Sequence, residues 1–192
     1  RTVDYDRLPH SLHAYFLRPG DPTTPAIFEV DRIRDGKSFT TRRIKVIQNG
    51  KAIFNMDCSF QVGEEGLSHQ MDGPNFSAPD ETKMAPGLKT RPFLSFREDH
   101  KKLLVEKPQE PVQNVWIKAN GTAPDDPRVH MALLAYQSDE ALLGTARMPH
   151  RGQYDRERMQ VASLDHSIWF HSIFNVNDWL LYSLDKIGRA HV

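Results

Sequence analysis

Val112-Gln-Asn-Val-Trp-Ile-Lys-Ala-Asn-Gly-Thr-Ala-Pro-Asp-Asp-Pro-Arg-Val-His-Met-Ala-Leu-Leu-Ala-Tyr-Gln137 changes its periodicity halfway through. Val112 to Ala119 alternates like a strand, and Asn120-Gly121 closes it as a turn. Asp126 then stands where a helix N-cap is wanted, with Pro127 at the first helical position. From Arg128 to Gln137 the apolar residues run almost all the way round, so the spacing predicts a buried helix rather than a surface one. A strand, a buried helix and further strands downstream predict an α+β fold in which an antiparallel sheet wraps one central helix.

Upstream, four runs read as antiparallel strands: His10–Arg18, Ala26–Ile33, Ser38–Gln48 and Ala52–Gln61. Pro19-Gly20-Asp21-Pro22 interrupts the first pair and Asp35-Gly36 the second. Asn49-Gly50 joins the last two, and this dipeptide between alternating runs is the strongest short hairpin signal, because a type I′ turn needs positive φ at both positions. Residues 1–61 therefore read as one unit made of strands only. In 62–111 six of the thirteen prolines gather among glycines and acidic residues. Such a run cannot bury enough apolar surface for a core of its own, so it reads as a linker or surface excursion, tacked down by Phe93, Leu94 and Phe96. Residues 112–186 form a second unit, with its helix at about 126–137.

Downstream, Met159–Phe174 alternates again. Gln160, Ala162, Leu164, His166, Ile168 and Phe170 make one face; Val161, Ser163, Asp165, Ser167, Trp169 and His171 make the other. Asp165 has two readings: a carboxylate on a solvated sheet face, or a general base in a partly apolar pocket. Met148–Glu157 is a charged connection, and Asp178–Leu184 a further short strand. A weak repeat links Pro9-His10-Ser11-Leu12 to Asp165-His166-Ser167-Ile168, so that Pro9 stands where the second copy carries Asp165.

The 192 residues carry no formal net charge, which removes the basic field that nucleic-acid binding needs. Arg42-Arg43 and the Arg151, Arg156, Arg158 group read mostly as solvated charges. The lone Cys58 excludes an internal disulfide and, inside a strand, reads as a small core residue. The nine histidines show no metal-ligand spacing, so no metal or other cofactor is expected. No apolar run reaches the roughly 20 residues that span a bilayer, and no membrane partner is expected. With no targeting signal legible, the default location is cytoplasmic.

Several blocks in register resemble the type II acyl-CoA thioesterase family: His10-Ser-Leu-His-Ala-Tyr-Phe-Leu-Arg-Pro-Gly-Asp21, Arg34-Asp-Gly-Lys-Ser-Phe39, Ile47-Gln-Asn-Gly-Lys51, Val115-Trp-Ile-Lys-Ala-Asn-Gly121, Asp125-Asp-Pro-Arg-Val-His130 and Asp165-His-Ser-Ile-Trp-Phe-His171. The match runs in order from about His10 to Leu184. It implies two fused hot-dog units, each an antiparallel sheet around a helix, and hydrolysis of acyl-CoA thioesters to free fatty acid and CoA. It also implies that Asp165 is the base that activates water, aided by a Thr or Ser and a Gln on later strands. His10 is a weaker candidate for a place near the substrate. Such proteins usually assemble further, so a homo-oligomer is expected of the full-length protein.

Against the family pattern, both hot-dog units are incomplete. The first strand and helix of the N-terminal unit, and the two strands bearing the partners of Asp165, are expected to lie outside this chain. The 192-residue piece is therefore expected to be inactive by itself. Ile187-Gly-Arg-Ala-His-Val192 resembles translated sequencing adapter, so 187–192 is expected to be a non-native tail. A different class of function, a non-catalytic module that binds acyl-CoA or acyl chains on the same fold, is the alternative. A hot-dog hydratase is disfavoured, because Gly20-Asp21-Pro22-Thr23 does not develop into the Asp and His that reaction needs.

Overall fold

A computed structural model describes residues 2–80, 91–97, 105 and 107–186. The tail 187–192, expected to be non-native, lies outside the described residues, as does much of the later half of 62–111. The chain forms two compact units, one of residues 1–68 with 162–173 and one of 69–161 with 174–192.

The first unit is a five-stranded antiparallel sheet. Its strands are β1 (Arg7–Phe16), β2 (Ile27–Asp35), β3 (Phe39–Gln48), β4 (Lys51–Val62) and β7 (Asp165–Trp169), in the order β2-β3-β4-β1-β7. The four strands expected in 1–61 are all present. Asn49 (φ 49°) and Gly50 (φ 71°) take the left-handed conformation at the β3–β4 turn, as the hairpin signal requires. The strand expected across Met159–Phe174 is shorter than its alternation suggested: the strand runs over 165–169, with one further backbone hydrogen bond at Leu164 and one at Phe170. Its partner is β1, so the Asp165 strand, grouped by sequence with 112–186, hydrogen-bonds within the sheet of the N-terminal strands.

One face of this sheet is apolar, with Leu12, Ala14, Ile44, Val46, Met56, Cys58 and Ile168; among the described residues no helix of this unit covers it. Arg42 also sits on that side and is buried, contrary to the expectation of a solvated charge. Its guanidinium donates to the carbonyl oxygens of Thr2, Arg34 and Thr41 and to the Asp35 carboxylate, so the buried cation is paired and hydrogen-bonded. It ties the N-terminal segment and the end of β2 to β3. Arg43, on the opposite face, makes a two-pronged ion pair with Asp57 at 2.8 and 3.0 Å.

The second unit has a three-stranded sheet of β5 (Phe93–Phe96), β6 (Val112–Ala119) and β8 (Leu180–Asp185), ordered β5-β6-β8. Helix α1 (Pro127–Gln137) starts as predicted: the Asp126 carboxylate accepts from the Arg128 backbone N–H at 3.0 Å. Leu133 and Leu134 pack against a core of Phe93, Val115, Ile117, Val176 and Leu184. Phe93 thus anchors the excursion as expected, through a strand that the Pro-rich composition concealed. The expected full burial of α1 is not found. Its His130, Met131 and Gln137 are buried, but Tyr136 is 61% exposed, because the sheet of its own unit covers one side of the helix. A second, six-residue helix α2 (Leu142–Arg147) was not legible; it follows Ala141 in the left-handed region (φ 70°).

Candidate functional site

The two copies of the repeated motif meet in one ladder. β1 and β7 pair antiparallel with Ser11 opposite Trp169, Leu12 opposite Ile168, His13 opposite Ser167, Ala14 opposite His166 and Tyr15 opposite Asp165. Hydrogen bonds from Phe16 N to Leu164 O (3.0 Å) and from Phe170 N to His10 O (2.9 Å) fix the phase of that ladder. The even-numbered β1 residues form the hydrogen-bonded pairs. Ser11–Trp169, His13–Ser167 and Tyr15–Asp165 are therefore the close, non-hydrogen-bonded pairs, whose side chains lean together.

Asp165 opens β7 and is exposed, on the same face as Ser167, Trp169, Tyr15 and His13. The alternation read from sequence holds within the strand: His166 and Ile168 are half-buried, while Asp165, Ser167 and Trp169 are exposed. Among the described residues the carboxylate lies on an exposed sheet face that also carries the aromatic rings of Tyr15 and Trp169.

His10 sits at an irregularity in β1, where the register with β4 shifts between Pro9 and Ser11. Its Nε2 shares a 2.8 Å hydrogen bond with Ser59 Oγ, and its ring meets Phe39 edge-on at 5.6 Å. Strand neighbours thus engage His10, and the geometry does not bring it against Asp165. Sequence reasoning passed over His13. Its Nδ1 shares a 3.1 Å hydrogen bond with Ser167 Oγ, and its ring meets the Trp169 ring edge-on at 5.2 Å. The repeat carried the missing signal, since two equivalent strands paired about Leu12 and Ile168 bring His13 to Ser167.

Elsewhere, Cys58 is 5% exposed, and burial pushes its thiol up to about 12, which suits a core residue and not a nucleophile. Among the described residues no group of three or more His, Cys, Asp or Glu is arranged to hold a metal ion. In the second unit His130 is buried with neither ring nitrogen hydrogen-bonded. Among the described residues no helix is long and apolar enough to cross a membrane.

A helix laid on an antiparallel sheet, and a repeated strand motif that pairs with its own copy, define a hot-dog protein with incomplete units. A hot-dog protein from Alicyclobacillus acidocaldarius shares the fold at TM-score 0.72, with 17% identity, the match covering 96% of this chain and 69% of that one. The chain belongs to the acyl-CoA thioesterase family. Residues 95–191 match the family described as acyl-CoA thioesterase, and residues 1–61 its N-terminal domain. Acyl-CoA thioesterase 2 of Haemophilus influenzae is 36% identical over 94% of this chain and 69% of its own length. The structure of an acyl-CoA thioesterase II from Mycobacterium marinum superposes with a TM-score of 0.81 at 41% identity, covering 98% of this chain and 72% of that one. The curated relatives that share 36% identity are spanned over 65–69% of their length.

Proposed function

We propose that the complete protein hydrolyses acyl-CoA thioesters to free fatty acid and CoA, and that Asp165 is the base that activates the attacking water. Family membership carries the reaction class. The place of Asp165 carries the residue assignment: it is the carboxylate at the start of the strand where the two motif copies pair, on a face open to an incoming thioester. A carboxylate that holds a water takes up its proton as the oxygen adds to the thioester carbonyl, and the CoA thiolate leaves when the tetrahedral adduct collapses. A positioned base of this kind typically contributes about 10²–10⁴-fold.

Thiol release from acyl-CoA by the complete protein and by Asp165→Asn tests both parts. Release by the parent and a loss of at least about 100-fold in the variant support the reading. Equal rates would remove Asp165 from the mechanism. Acyl-CoA binding without any thiol release by the complete protein would replace hydrolysis with the non-catalytic binding module. In this reading acyl-CoA is the substrate partner and the assembled protein is a cytoplasmic homo-oligomer. Sedimentation and imaging of the complete, tagged protein measure those two points.

A further inference from the structure

We propose that His13 is a positioning residue for the Asp165 site, acting through Ser167 and Trp169. The proposal rests on the reading of Asp165 as the base. Three observations support it. Asp165, Ser167 and Trp169 project from the same face of β7, and that strand is only five residues long and lies at the edge of its sheet. Among the described residues β1 is the strand to which β7 is hydrogen-bonded, so the side chains that β1 presents bear directly on the geometry of β7. His13 contacts both residues that follow the carboxylate on this face: Nδ1 shares a hydrogen bond with Ser167 Oγ at 3.1 Å, and the ring lies edge-on to Trp169 at 5.2 Å. It does so from a close pair, where cross-strand side chains are nearest. The neighbouring close pair is Tyr15–Asp165 itself. A clamp one pair along the ladder therefore fixes the twist with which β7 presents its carboxylate. The partner on the other side of His13 is Asp57, whose carboxylate is already taken by Arg43 in two hydrogen bonds. His13 is thus committed towards β7.

The two contacts can be separated by substitution. His13→Phe keeps a ring against Trp169 and loses the hydrogen bond, whereas His13→Asn keeps a polar group near the Nδ1 position and loses the ring. The measurement is kcat and KM for acyl-CoA hydrolysis by the complete protein, with melting curves, for both variants, for Ser167→Ala, for His13→Phe/Ser167→Ala and for Asp165→Asn. A misplaced catalytic group can cost up to about 100-fold. The expected result is a kcat at least about 10-fold lower in His13→Phe, with KM within about 2-fold and the melting temperature retained. His13→Asn should recover part of that loss, since it restores the hydrogen bond and not the ring contact. Ser167→Ala should show a similar loss, and the double variant should lose no more than either single one, since both remove one bond. Should His13→Phe fail to fold, Ser167→Ala removes the same hydrogen bond from the smaller side and decides the matter. A full kcat in Ser167→Ala, or equal losses in the Phe and Asn variants that follow their melting temperatures, would overturn the proposal. Full activity in Asp165→Asn would instead overturn the base assignment, which keeps the two failures apart.

Discussion

Leu12 and Ile168 stand directly opposite each other in the β1–β7 ladder and hold the same place in the two copies of the repeated motif. Around them the contacts are reciprocal. Ser11 faces Trp169, and its counterpart Ser167 faces His13, which is the counterpart of Trp169. This is the pattern of a two-fold axis, in which residue i meets j and j meets i, here written into one chain. The symmetry breaks at its ends. Tyr15 faces Asp165 at one end, while the equivalent of Asp165 at the other is Pro9, which brings neither charge nor backbone N–H.

If that axis is correct, charges placed on it should feel each other. Leu12→Lys and Ile168→Glu should each destabilise the complete protein, because each puts a charge on a half-buried apolar face. Combined, they stand opposite across the ladder and should recover about 0.2–1 kcal/mol relative to the sum of the single losses. Urea unfolding of the four proteins measures this. Strict additivity would mean that the two positions do not face each other in solution.

The β3–β4 turn isolates a backbone effect. Gly50 has φ 71°, and a Cβ built there meets nothing within 4 Å, so Gly50→Ala creates no clash. The remaining cost is that of a left-handed conformation for an L-residue, about 1–2 kcal/mol. Gly50→Asn should cost less than Gly50→Ala, because Asn tolerates this region. Chemical denaturation that finds Ala and Gly equal would refute the type I′ turn.

Stability should fall on the alkaline side for a reason that lies in two side chains. Burial, with a smaller contribution from the Asp139 charge, pushes the Tyr182 hydroxyl up from 10.0 to about 12, and burial pushes the Cys58 thiol from 9.0 to about 12. Both groups keep their protons longer in the folded state than in the unfolded one. Their contributions are therefore complete below the unfolded values and are lost as pH rises towards about 12. Tyr182→Phe should flatten this decline above pH 10. At neutral pH it should cost about 1 kcal/mol, because Tyr182 Oη donates to Ser138 O at 2.6 Å. Unfolding curves at neutral pH and inside the alkaline window check both signs. A slope unchanged in the variant would clear Tyr182 of the effect.

The elements that could be read from sequence are those whose signals are local. Asn49-Gly50 specifies its own turn, Asp126-Pro127 its own helix start, and period-two runs their own strands. What stayed hidden depends on partners far along the chain. β5 was masked by prolines on either side and exists because Phe93 reaches the core beside Val115 and Ile117. Arg42 looked like a surface charge because nothing near it announces Thr2 as an acceptor. Asp165 was legible as a candidate from its residue type and its strand, whereas His13 needed the antiparallel pairing of the two motif copies. The repeat made the two strands equivalent, but equivalence is not contact, and the ladder supplied the pairing.

The last prediction concerns the sheet edge. β2 closes the five-stranded sheet on one side, and all nine of its residues are exposed, among them Ile27 (62%), Phe28 (67%) and Ile33 (52%). An exposed apolar edge offers unpaired N–H and C=O groups together with a sticky face, which is the geometry that recruits another strand. The 192-residue chain should therefore self-associate when expressed alone. Phe28→Lys with Val30→Lys charges the apolar side of this edge and should shift the chain towards smaller species in size-exclusion chromatography with light scattering. A charge at an edge opposes pairing without touching the β2–β3 hydrogen bonds, since the register with Val46 and Ile44 uses only backbone. A parent chain that runs as a monodisperse monomer with one sharp thermal transition would show that this edge is not adhesive.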